Sequence, residues 1–283
     1  MRYAVVSDIH SNLEALTAVL QVIDAQRVDR LICLGDIVGY YANPNEVIDI
    51  LKWRSAEAIA GNHDLAAAGL YDMPWCGVAG RRATAWTRTV LAPDHRQFLT
   101  ALPLLKIVDG KFLIVHGALH PYPNETVYLK KDNITALEEN FRAFIDHPSR
   151  IRIGFFGHTH HAILHYYLEG QVQSIPPEER VMLSPVGHYL INPGSVGQSR
   201  SADPRASFLI YDTEQAVIAF HLVDYNRSAC LKKADKAGLL YKEPSFLYAF
   251  AVNVLNRVGL KEPIKKMLQR LGSPHISNKT DAK

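Results

Sequence analysis

The N-terminal stretch "MRYAVVSDIHSNLEAL" (residues 1–16) decides the fold. Its short apolar run is typical of a strand that is buried on both faces. The residues that follow predict a helix, because Ser11 and Glu14 have the spacing of a capping box and apolar residues then recur at helical spacing. Asp8 and His10 therefore lie at the carboxyl end of a strand, which is the edge where open α/β sheets bind ligands.

The pair Asp8 and His10 has two interpretations. If the backbone stays extended there, the two side chains point in the same direction, because alternate residues of a strand share a face. They would then form part of a ligand site. A helix cap beside a surface histidine explains the same residues, and a two-residue motif alone does not decide between these interpretations.

The composition is typical of a soluble globular protein with one large domain or two ordinary ones. The chain has 283 residues, of which 48% are hydrophobic and 21% charged. No stretch reaches the roughly 20 apolar residues of a membrane span, and the N-terminus has no signal-peptide pattern. Cys33, Cys76 and Cys230 show no paired or metal-binding spacing. These features favour reduced thiols and a cytoplasmic location.

Charge is distributed unevenly along the chain, although the net charge is only +3. Residues 226–283 contain 12 Lys and Arg against 4 Asp and Glu, so the preceding part is acidic. We predict a folded domain at 1–225, a basic helical extension at 226–272 and a disordered tail at 273–283. The apolar segment 244–260 is expected to pack on the body or to join a homo-oligomer, with an anionic membrane interface as the alternative.

The order of the predicted elements indicates an α/β fold. Strands and helices alternate over the first 160 residues, which predicts parallel pairing. Strand patterns then follow one another with short turns, which predicts an antiparallel meander. We therefore expect a four-layer αββα sandwich of two packed mixed β-sheets flanked by helices, with a helical C-terminal extension. One sheet would come from the parallel units and the other mostly from the hairpins.

Polar residues follow five of the predicted strands, and most have a glycine beside them, which permits sharp turns. They are Asp8 and His10; Asp36; Asn62, His63 and Asp64; His116; and His158 and His160. Carboxylates and imidazoles without thiolates suit Mn²⁺, Fe²⁺, Zn²⁺ or Ni²⁺ and argue against a structural zinc cage. Because these ligands exceed what one ion takes, two cations that share a carboxylate are expected.

In their order along the chain, these motifs resemble those of the calcineurin-like metallophosphoesterases, in particular the small prokaryotic phosphodiesterase-like members. The matching motifs are Asp8-x-His10, Gly35-Asp36, Gly61-Asn62-His63-Asp64, Val115-His116-Gly117 and Gly157-His158-Thr159-His160. The resemblance covers about residues 1–225. It implies two divalent metal ions and a small phosphoester substrate, either a phosphodiester or a nucleotide-type compound. The resemblance assigns Asp8, His10 and His160 to one metal, Asn62, His116 and His158 to the other, and Asp36 to both.

The same resemblance implies a mechanism in which a hydroxide that bridges the metals attacks phosphorus in line with the leaving oxygen. His63 would face the phosphate as a general acid or as a donor to the transition state, and Asn12 would contact the phosphate. The chain departs from the serine/threonine phosphatases at two positions. Gly39 replaces the aspartate that orients the histidine there, and Tyr40 replaces a phosphate-binding arginine. A phosphoprotein phosphatase is therefore less expected, and the residue that orients His63 is left open.

Some other residues and functions remain as alternatives. Arg81, Arg82 and Arg88 could clamp a phosphate or could form a solvated helix face. His161 is expected at the surface, because adjacent side chains in an extended segment diverge. A catalytically weak protein-binding scaffold of the same fold is the competing function, but it need not retain His63. Nucleic acid is expected only as a substrate, since the chain shows no nucleic-acid-binding motif.

Overall fold

The computed structural model describes residues 1–73, 76–120 and 128–240. The helices are α1 (Leu13–Asp24), α2 (Pro44–Trp53), α3 (Asn62–Ala68), α4 (Val78–Val90), α5 (Pro93–Ala101), α6 (Ile134–Ile145) and α7 (Arg227–Lys236). The strands are β1 (Arg2–Val6), β2 (Arg30–Cys33), β3 (Glu57–Ala58), β4 (Leu105–Val108), β5 (Phe112–Val115), β6 (Ile153–Phe155), β7 (Ala162–Leu168), β8 (Gln171–Ile175), β9 (Arg180–Met182), β10 (His188–Pro193), β11 (Ala206–Asp212) and β12 (Val217–Val223). The apolar segment 244–260 and the tail 273–283 lie outside the described residues.

The strands form two mixed sheets, as predicted, and each sheet has six strands. The first sheet has the order β3-β2-β1-β11-β12-β9, and the second has the order β4-β5-β6-β10-β7-β8. The expected division into a parallel sheet and a hairpin sheet is wrong. β1 pairs in parallel with β2 but antiparallel with β11, and β10 pairs in parallel with β6. The cause is that the chain crosses between the sheets after β3, β8, β9 and β10, so each sheet contains strands from both parts of the chain. The last of these crossings is the loop 194–205, between β10 and β11.

Alternating side chains of the strands build the predicted layers. Tyr3 and Val5 of β1 belong to the apolar core that contains residues of both sheets. Ala4 and Val6 belong to a second core that includes the buried face of α1. Phe141 of α6 lies in a third core with residues of the second sheet. β1 is thus buried on both faces. The loop that follows its carboxyl end lies at the edge of the sheet where the polar motifs are located.

The start of α1 differs from the predicted capping box. Asn12 is the N-cap, and its side chain accepts a 3.1 Å hydrogen bond from the N–H of the third helical residue. The Ser11 hydroxyl instead accepts a hydrogen bond from the N–H of Gly39. Glu14 forms an ion pair of 2.7 Å with Lys233 of α7. Ser11 therefore joins two loops of the site, and the helix begins one residue later than a capping box requires.

The sequence analysis did not predict two of the hairpins. The segment "AILHYYLEGQVQSI" (162–175) has a strand pattern throughout, but it turns at Glu169 and Gly170 to form β7 and β8. β4 lies outside the predicted strands, and it is joined to β5 by a turn that contains Asp109 and Gly110. These four turn residues have positive φ, between 49° and 83°. In the two-residue turn between β7 and β8, positive φ at both positions matches the twist of the paired strands.

α7 lies against the body of the protein. Ala234 and Leu239 pack in a small apolar cluster with Ala83, and Trp86 borders it. The first helix of the predicted extension is thus anchored to α4, and the ion pair with Glu14 anchors it to α1 as well. Among the described residues, no helix has the length and apolar character needed to cross a membrane.

Candidate metal centre

The predicted ligands lie on tight turns at the carboxyl ends of strands. Asp8, His10, Asp36, His158 and His160 all have positive φ, between 51° and 66°. The sequence interpretation supposed an extended backbone at Asp8 and His10, and the positive φ values show that this is wrong. Their side chains nevertheless lie close together. Left-handed backbone is uncommon for residues other than glycine, and it costs energy that the surrounding structure must offset. Such strain is common in sites where side chains must converge.

The first group of ligands consists of Asp8, His10, Asp36 and His160, all of them buried. One ligand atom from each lies within 4.8 Å of the others. Nε2 of His160 lies 3.1 Å from Nε2 of His10 and 3.2 Å from Oδ1 of Asp8. Nε2 of His10 lies 3.6 Å from Oδ2 of Asp36. Two carboxylates and two imidazoles therefore converge on one buried point.

The second group shares Asp36 with the first and adds His116 and His158. Nε2 of His116 lies 3.3 Å from Oδ2 of Asp36. Nε2 of both histidines and Oδ1 of Asn62 are buried, and none has a hydrogen-bond partner among the described residues. Buried polar atoms without partners are costly, and an ion is one way to satisfy them. Asn62 also lines the same pocket as Asp36 and His158.

Hydrogen bonds to backbone carbonyls orient three of the ligand imidazoles. In each of these rings Nδ1 contacts a carbonyl oxygen, which assigns the proton to Nδ1 and leaves Nε2 free to bind a cation. The acceptors are the carbonyls of Val38 for His10 (3.2 Å), Leu34 for His116 (2.7 Å) and Gln198 for His160 (2.6 Å). This arrangement of outer contacts is typical of metal-binding histidines.

Charges in the centre act against the cost of burial. Burial favours a neutral Asp8, but the imidazoles of His160 and His116 together outweigh it and hold the pKa of Asp8 well below its usual range. Burial lowers the pKa of His116, but the carboxylates of Asp36 and Asp8 together outweigh it and raise that pKa to about 10, so a cation at Nε2 would replace a proton there. Burial and then the charge of His116 lower the pKa of His158 to about 3. Ionised carboxylates among crowded imidazoles fit divalent cations, which would stabilise the charge that burial penalises.

The Asp64 carboxylate braces two loops of the centre. It accepts hydrogen bonds from the N–H groups of Val38 (3.0 Å) and Gly61 (2.9 Å). Burial and the nearby Asp36 carboxylate raise the pKa of Asp64 to about 7. Because both of its oxygens bind backbone N–H groups, its position does not depend on a contact with the His63 ring. Asp64 is therefore not the residue that orients that ring.

His63 is held by its backbone and by aromatic packing. Its N–H donates a 2.8 Å hydrogen bond to Oδ1 of Asp36. Its ring centroid lies 4.8 Å from that of His10 and 4.8 Å from that of Tyr40. Gly39 lies so close that an added Cβ would be 2.7 Å from Nδ1 of His63. In this chain, Gly39 and the rings of His10 and Tyr40 thus surround His63.

A small pocket of about 100 Å³ lies over the ligand groups. Its walls include His63, Tyr40, Tyr128 and Arg200. The sequence interpretation missed Arg200, although it is the first arginine after the segment "INPGSVG" (191–197), which ends β10 and begins the loop that follows. That position was a usable signal, because the loop lies beside the ligands that follow β1 and β6: the N–H of Gly197 binds the carbonyl of Asp8, and the Gln198 carbonyl binds His160.

The other phosphate-contact candidates have structural contacts. Asn12 is fully buried, and its amide N–H donates a 2.8 Å hydrogen bond to the carbonyl of Gly197 while its oxygen caps α1. Arg88 donates to the carbonyls of Ala66 (2.6 Å) and Tyr71 (3.1 Å). Arg81 binds the carbonyl of Cys76, and Arg82 is exposed. His161 is half-buried and lines a separate cavity.

Residues 1–216 match the calcineurin-like phosphoesterase superfamily domain. The chain belongs to this superfamily. A protein of Methanocaldococcus jannaschii, uncharacterized protein MJ0912, is 35% identical over 235 residues, which are 82% of this chain and 91% of that protein. Membership supports the hydrolysis of phosphoesters, and the buried aspartate and histidine groups of the superfamily domain suggest divalent metal ions as cofactors.

Solved structures agree with this membership. The crystal structure of a metallophosphoesterase from Sphaerobacter thermophilus superposes with a TM-score of 0.69 at 36% identity and covers 85% of this chain and 95% of that one. Hypothetical protein PH1004 from Pyrococcus horikoshii OT3 superposes with a TM-score of 0.68 at 19% identity and covers 84% and 94%. The second likeness concerns the fold alone. Together they confirm the α/β sandwich that the sequence predicted for this phosphoesterase.

Proposed function

We propose that this phosphoesterase binds two divalent cations and hydrolyses a phosphodiester or nucleotide-type phosphoester. The observation that carries the proposal is the position of Asp36, which belongs to both buried ligand groups. Its Oδ2 lies 3.6 Å from Nε2 of His10 in one group and 3.3 Å from Nε2 of His116 in the other. A carboxylate that lies between two sets of oxygen and imidazole ligands is the arrangement that two-metal phosphoryl-transfer sites use.

The chemistry of the donors fits such cations. One cation would be held by Asp8, His10 and His160, the other by Asn62, His116 and His158, with Asp36 common to both. Bound divalent cations lower the pKa of water and neutralise charge that develops on phosphoryl oxygens. The oxygen and imidazole donors suit Mn²⁺, Fe²⁺, Zn²⁺ or Ni²⁺, and these residues do not choose among them.

His63 would act on the substrate rather than on a metal. It lines the pocket with the ligands, and its Nδ1 is buried without a hydrogen-bond partner among the described residues. The Asp36 contact fixes its backbone, so the ring stays at the wall of the pocket. We expect it to donate a hydrogen bond to a phosphoryl oxygen, or a proton to the leaving oxygen, a contribution that is typically worth 10²–10⁴ in rate.

The alternatives receive less support from the site. A phosphoprotein phosphatase of the serine/threonine type would carry an arginine and an aspartate where this chain has Tyr40 and Gly39. A protein-binding scaffold has no need for His63 in the pocket wall or for unpartnered imidazole nitrogens beside Asp36. Catalysis on a small ester accounts for both features, whereas neither alternative does.

Hydrolysis of chromogenic esters tests the proposal. The full-length protein would be loaded separately with Mn²⁺, Fe²⁺, Zn²⁺ and Ni²⁺ and assayed on p-nitrophenyl phosphate and bis(p-nitrophenyl) phosphate, then on nucleotides. Asp36→Asn is the inactive control. We expect turnover with at least one metal that the control lacks. Absence of turnover with all four metals and all substrates, in protein shown to contain metal, would overturn the proposal in favour of a scaffold.

A further inference from the structure

We propose that Arg200 is a catalytic residue that binds the phosphoryl oxygens of the substrate. This proposal rests on the proposed phosphoesterase function. The chain would then take its phosphate-binding cation from the loop 194–205 between the two sheets. Tyr40 occupies the position at which serine/threonine phosphatases carry that cation. The argument depends on the pocket, on the phenols that flank Arg200 and on the loop that carries it.

The pocket places Arg200 with both ligand groups. Its walls include Asp36 and His160 of the first group, as well as Asn62 and His158 of the second. Within the described part of the chain, Arg200 is the one lysine or arginine among the lining residues. A volume of about 100 Å³ suits a phosphoryl group better than a whole nucleotide. An anion in this pocket would therefore meet the guanidinium of Arg200 among the described lining residues.

Two phenols flank the guanidinium, and each packs on a different ligand group. The Tyr40 ring centroid lies 4.7 Å from that of His10, and the Tyr128 ring centroid lies 4.5 Å from that of His158. The hydroxyls of Tyr40 and Tyr128 both hydrogen-bond with the guanidinium, which is charged at any physiological pH. Arg200 thus lies between residues that pack against the two candidate metal positions.

The geometry of a guanidinium leaves it free to bind phosphate as well. It carries five N–H donors in a fixed fork, and two phenol oxygens do not use all of them. The fork matches two oxygens of one phosphate, so a bidentate contact adds both strength and orientation. Neighbouring arginines are engaged elsewhere: Arg88 binds backbone carbonyls, and Arg205 forms a 2.6 Å ion pair with Asp203.

Hydrogen bonds fix the loop before Arg200 to the ligand turns. The Ser195 hydroxyl and the Gly197 N–H both donate to the carbonyl of Asp8, each at 2.9 Å. The carbonyl of Gln198 accepts the 2.6 Å hydrogen bond from His160. These contacts hold the start of the loop to two ligand-bearing turns. A side chain two residues later therefore projects from a base that is rigid relative to the centre.

Binding of inorganic phosphate to the metal-loaded, full-length protein tests this role without requiring catalysis. The variants are Arg200→Gln and Arg200→Lys, and Arg205→Gln is the matched control, since it removes a cation of the same loop that pairs with Asp203. Titration calorimetry would give the dissociation constant for phosphate, and elemental analysis the metal content. The kcat and KM for bis(p-nitrophenyl) phosphate would be measured in parallel.

We expect Arg200→Gln to keep its metal and to bind phosphate about 10- to 100-fold more weakly, because a charge-assisted bidentate contact is lost. Arg200→Lys keeps the charge without the planar fork of donors, so it should lose less phosphate affinity than Arg200→Gln. It also provides the comparison with wild type if the glutamine variant does not fold. Arg205→Gln should match the wild type. Phosphate affinity of metal-replete Arg200→Gln within threefold of wild type would overturn the role of Arg200.

The same titration separates this role from the proposed function. If phosphate binding depends on Arg200 but no ester is hydrolysed with any metal, phosphate binding by Arg200 is supported and the phosphoesterase proposal is contradicted. If wild type and Arg200→Gln hydrolyse esters with equal KM and kcat and bind phosphate equally, the phosphoesterase proposal is supported and the role of Arg200 is contradicted. A metal-loaded wild type that binds no phosphate would contradict the role of Arg200.

Discussion

Oδ1 of Asp36 accepts a 2.8 Å hydrogen bond from the backbone N–H of His63, while Oδ2 faces an imidazole of each ligand group. One carboxylate thus links the candidate metal positions to the residue expected to act on the substrate. Gly61 allows this contact, because a Cβ there would overlap the Asp36 carboxylate. A change at Asp36 should therefore affect cation binding and the position of His63, whereas a change at His63 should affect only catalysis.

Asp36→Asn should abolish turnover and lower the number of cations bound per chain. Asparagine keeps an oxygen that can accept the His63 N–H, so the fold should persist. It cannot supply a charged oxygen between two cations. Elemental analysis and the ester assay would measure both effects, with Asp94→Asn, an exposed carboxylate of α5, as control. Full metal content with wild-type turnover in Asp36→Asn would contradict the shared role.

His63→Ala should retain both cations and lose turnover by about 10²- to 10⁴-fold, because it removes a donor to the substrate but no ligand. The kcat for bis(p-nitrophenyl) phosphate, measured at known metal content, checks this expectation. Loss of metal from His63→Ala would mean that His63 is a ligand, and the assignment of its role would be wrong.

Gly39→Ala should lower kcat and keep the metal content. Gly39 has a φ of +107°, and its added Cβ would lie 2.7 Å from Nδ1 of His63, so the ring must move. Gly110→Ala is a suitable control, since Gly110 also has positive φ (+64°) but its Cβ would meet no atom within 4 Å. Both variants carry backbone strain, and only Gly39→Ala disturbs the pocket. Equal kcat in the two variants would show that Gly39 does not matter for His63.

The sequence predicted most of the fold and identified the polar residues that the structure brings together, because both depend on local signals. Buried strands have apolar runs, and polar residues beside glycines mark the turns at their carboxyl ends. The path of the loop 194–205 between the sheets was not predictable from periodicity, since periodicity carries no information on which strands pair. For the same reason the sequence did not place Arg200 in the pocket. That placement depends on long-range hydrogen bonds from Ser195, Gly197 and His160.

The orientation of His63 was also beyond the sequence. The neighbouring Asp64 is not its partner, because both oxygens of that carboxylate bind the backbone N–H groups of Val38 and Gly61. The contacts that do hold His63 come from Tyr40 and His10, which are distant in sequence. Local patterns thus gave the candidate residues, while the contacts among them required the tertiary structure.

His165→Gln should make the protein less sensitive to acid. His165 is fully buried in β7, where burial lowers its pKa to about 4, against about 6.5 in an unfolded chain. Between these values the unfolded state binds the proton and the folded state does not. Stability is therefore complete above pH 6.5 and falls as the pH drops toward 4.

Urea unfolding of metal-free wild type and His165→Gln at pH 7.5 and pH 4.5 measures this effect. Glutamine does not titrate and can keep a hydrogen bond to the Ser174 hydroxyl, which lies 2.6 Å from Nδ1 of His165. The wild type should lose about 2–3 kcal/mol more than the variant over this pH range. Identical losses would show that the His165 ring is protonated in the folded protein.

Anomalous diffraction from Mn²⁺-loaded crystals of the full-length protein tests the central claim most directly. The account predicts two anomalous peaks per chain, one beside Asp8, His10 and His160 and one beside Asn62, His116 and His158, with the carboxylate of Asp36 between them. A single peak at saturating Mn²⁺, or two peaks of which only one contacts Asp36, would contradict it.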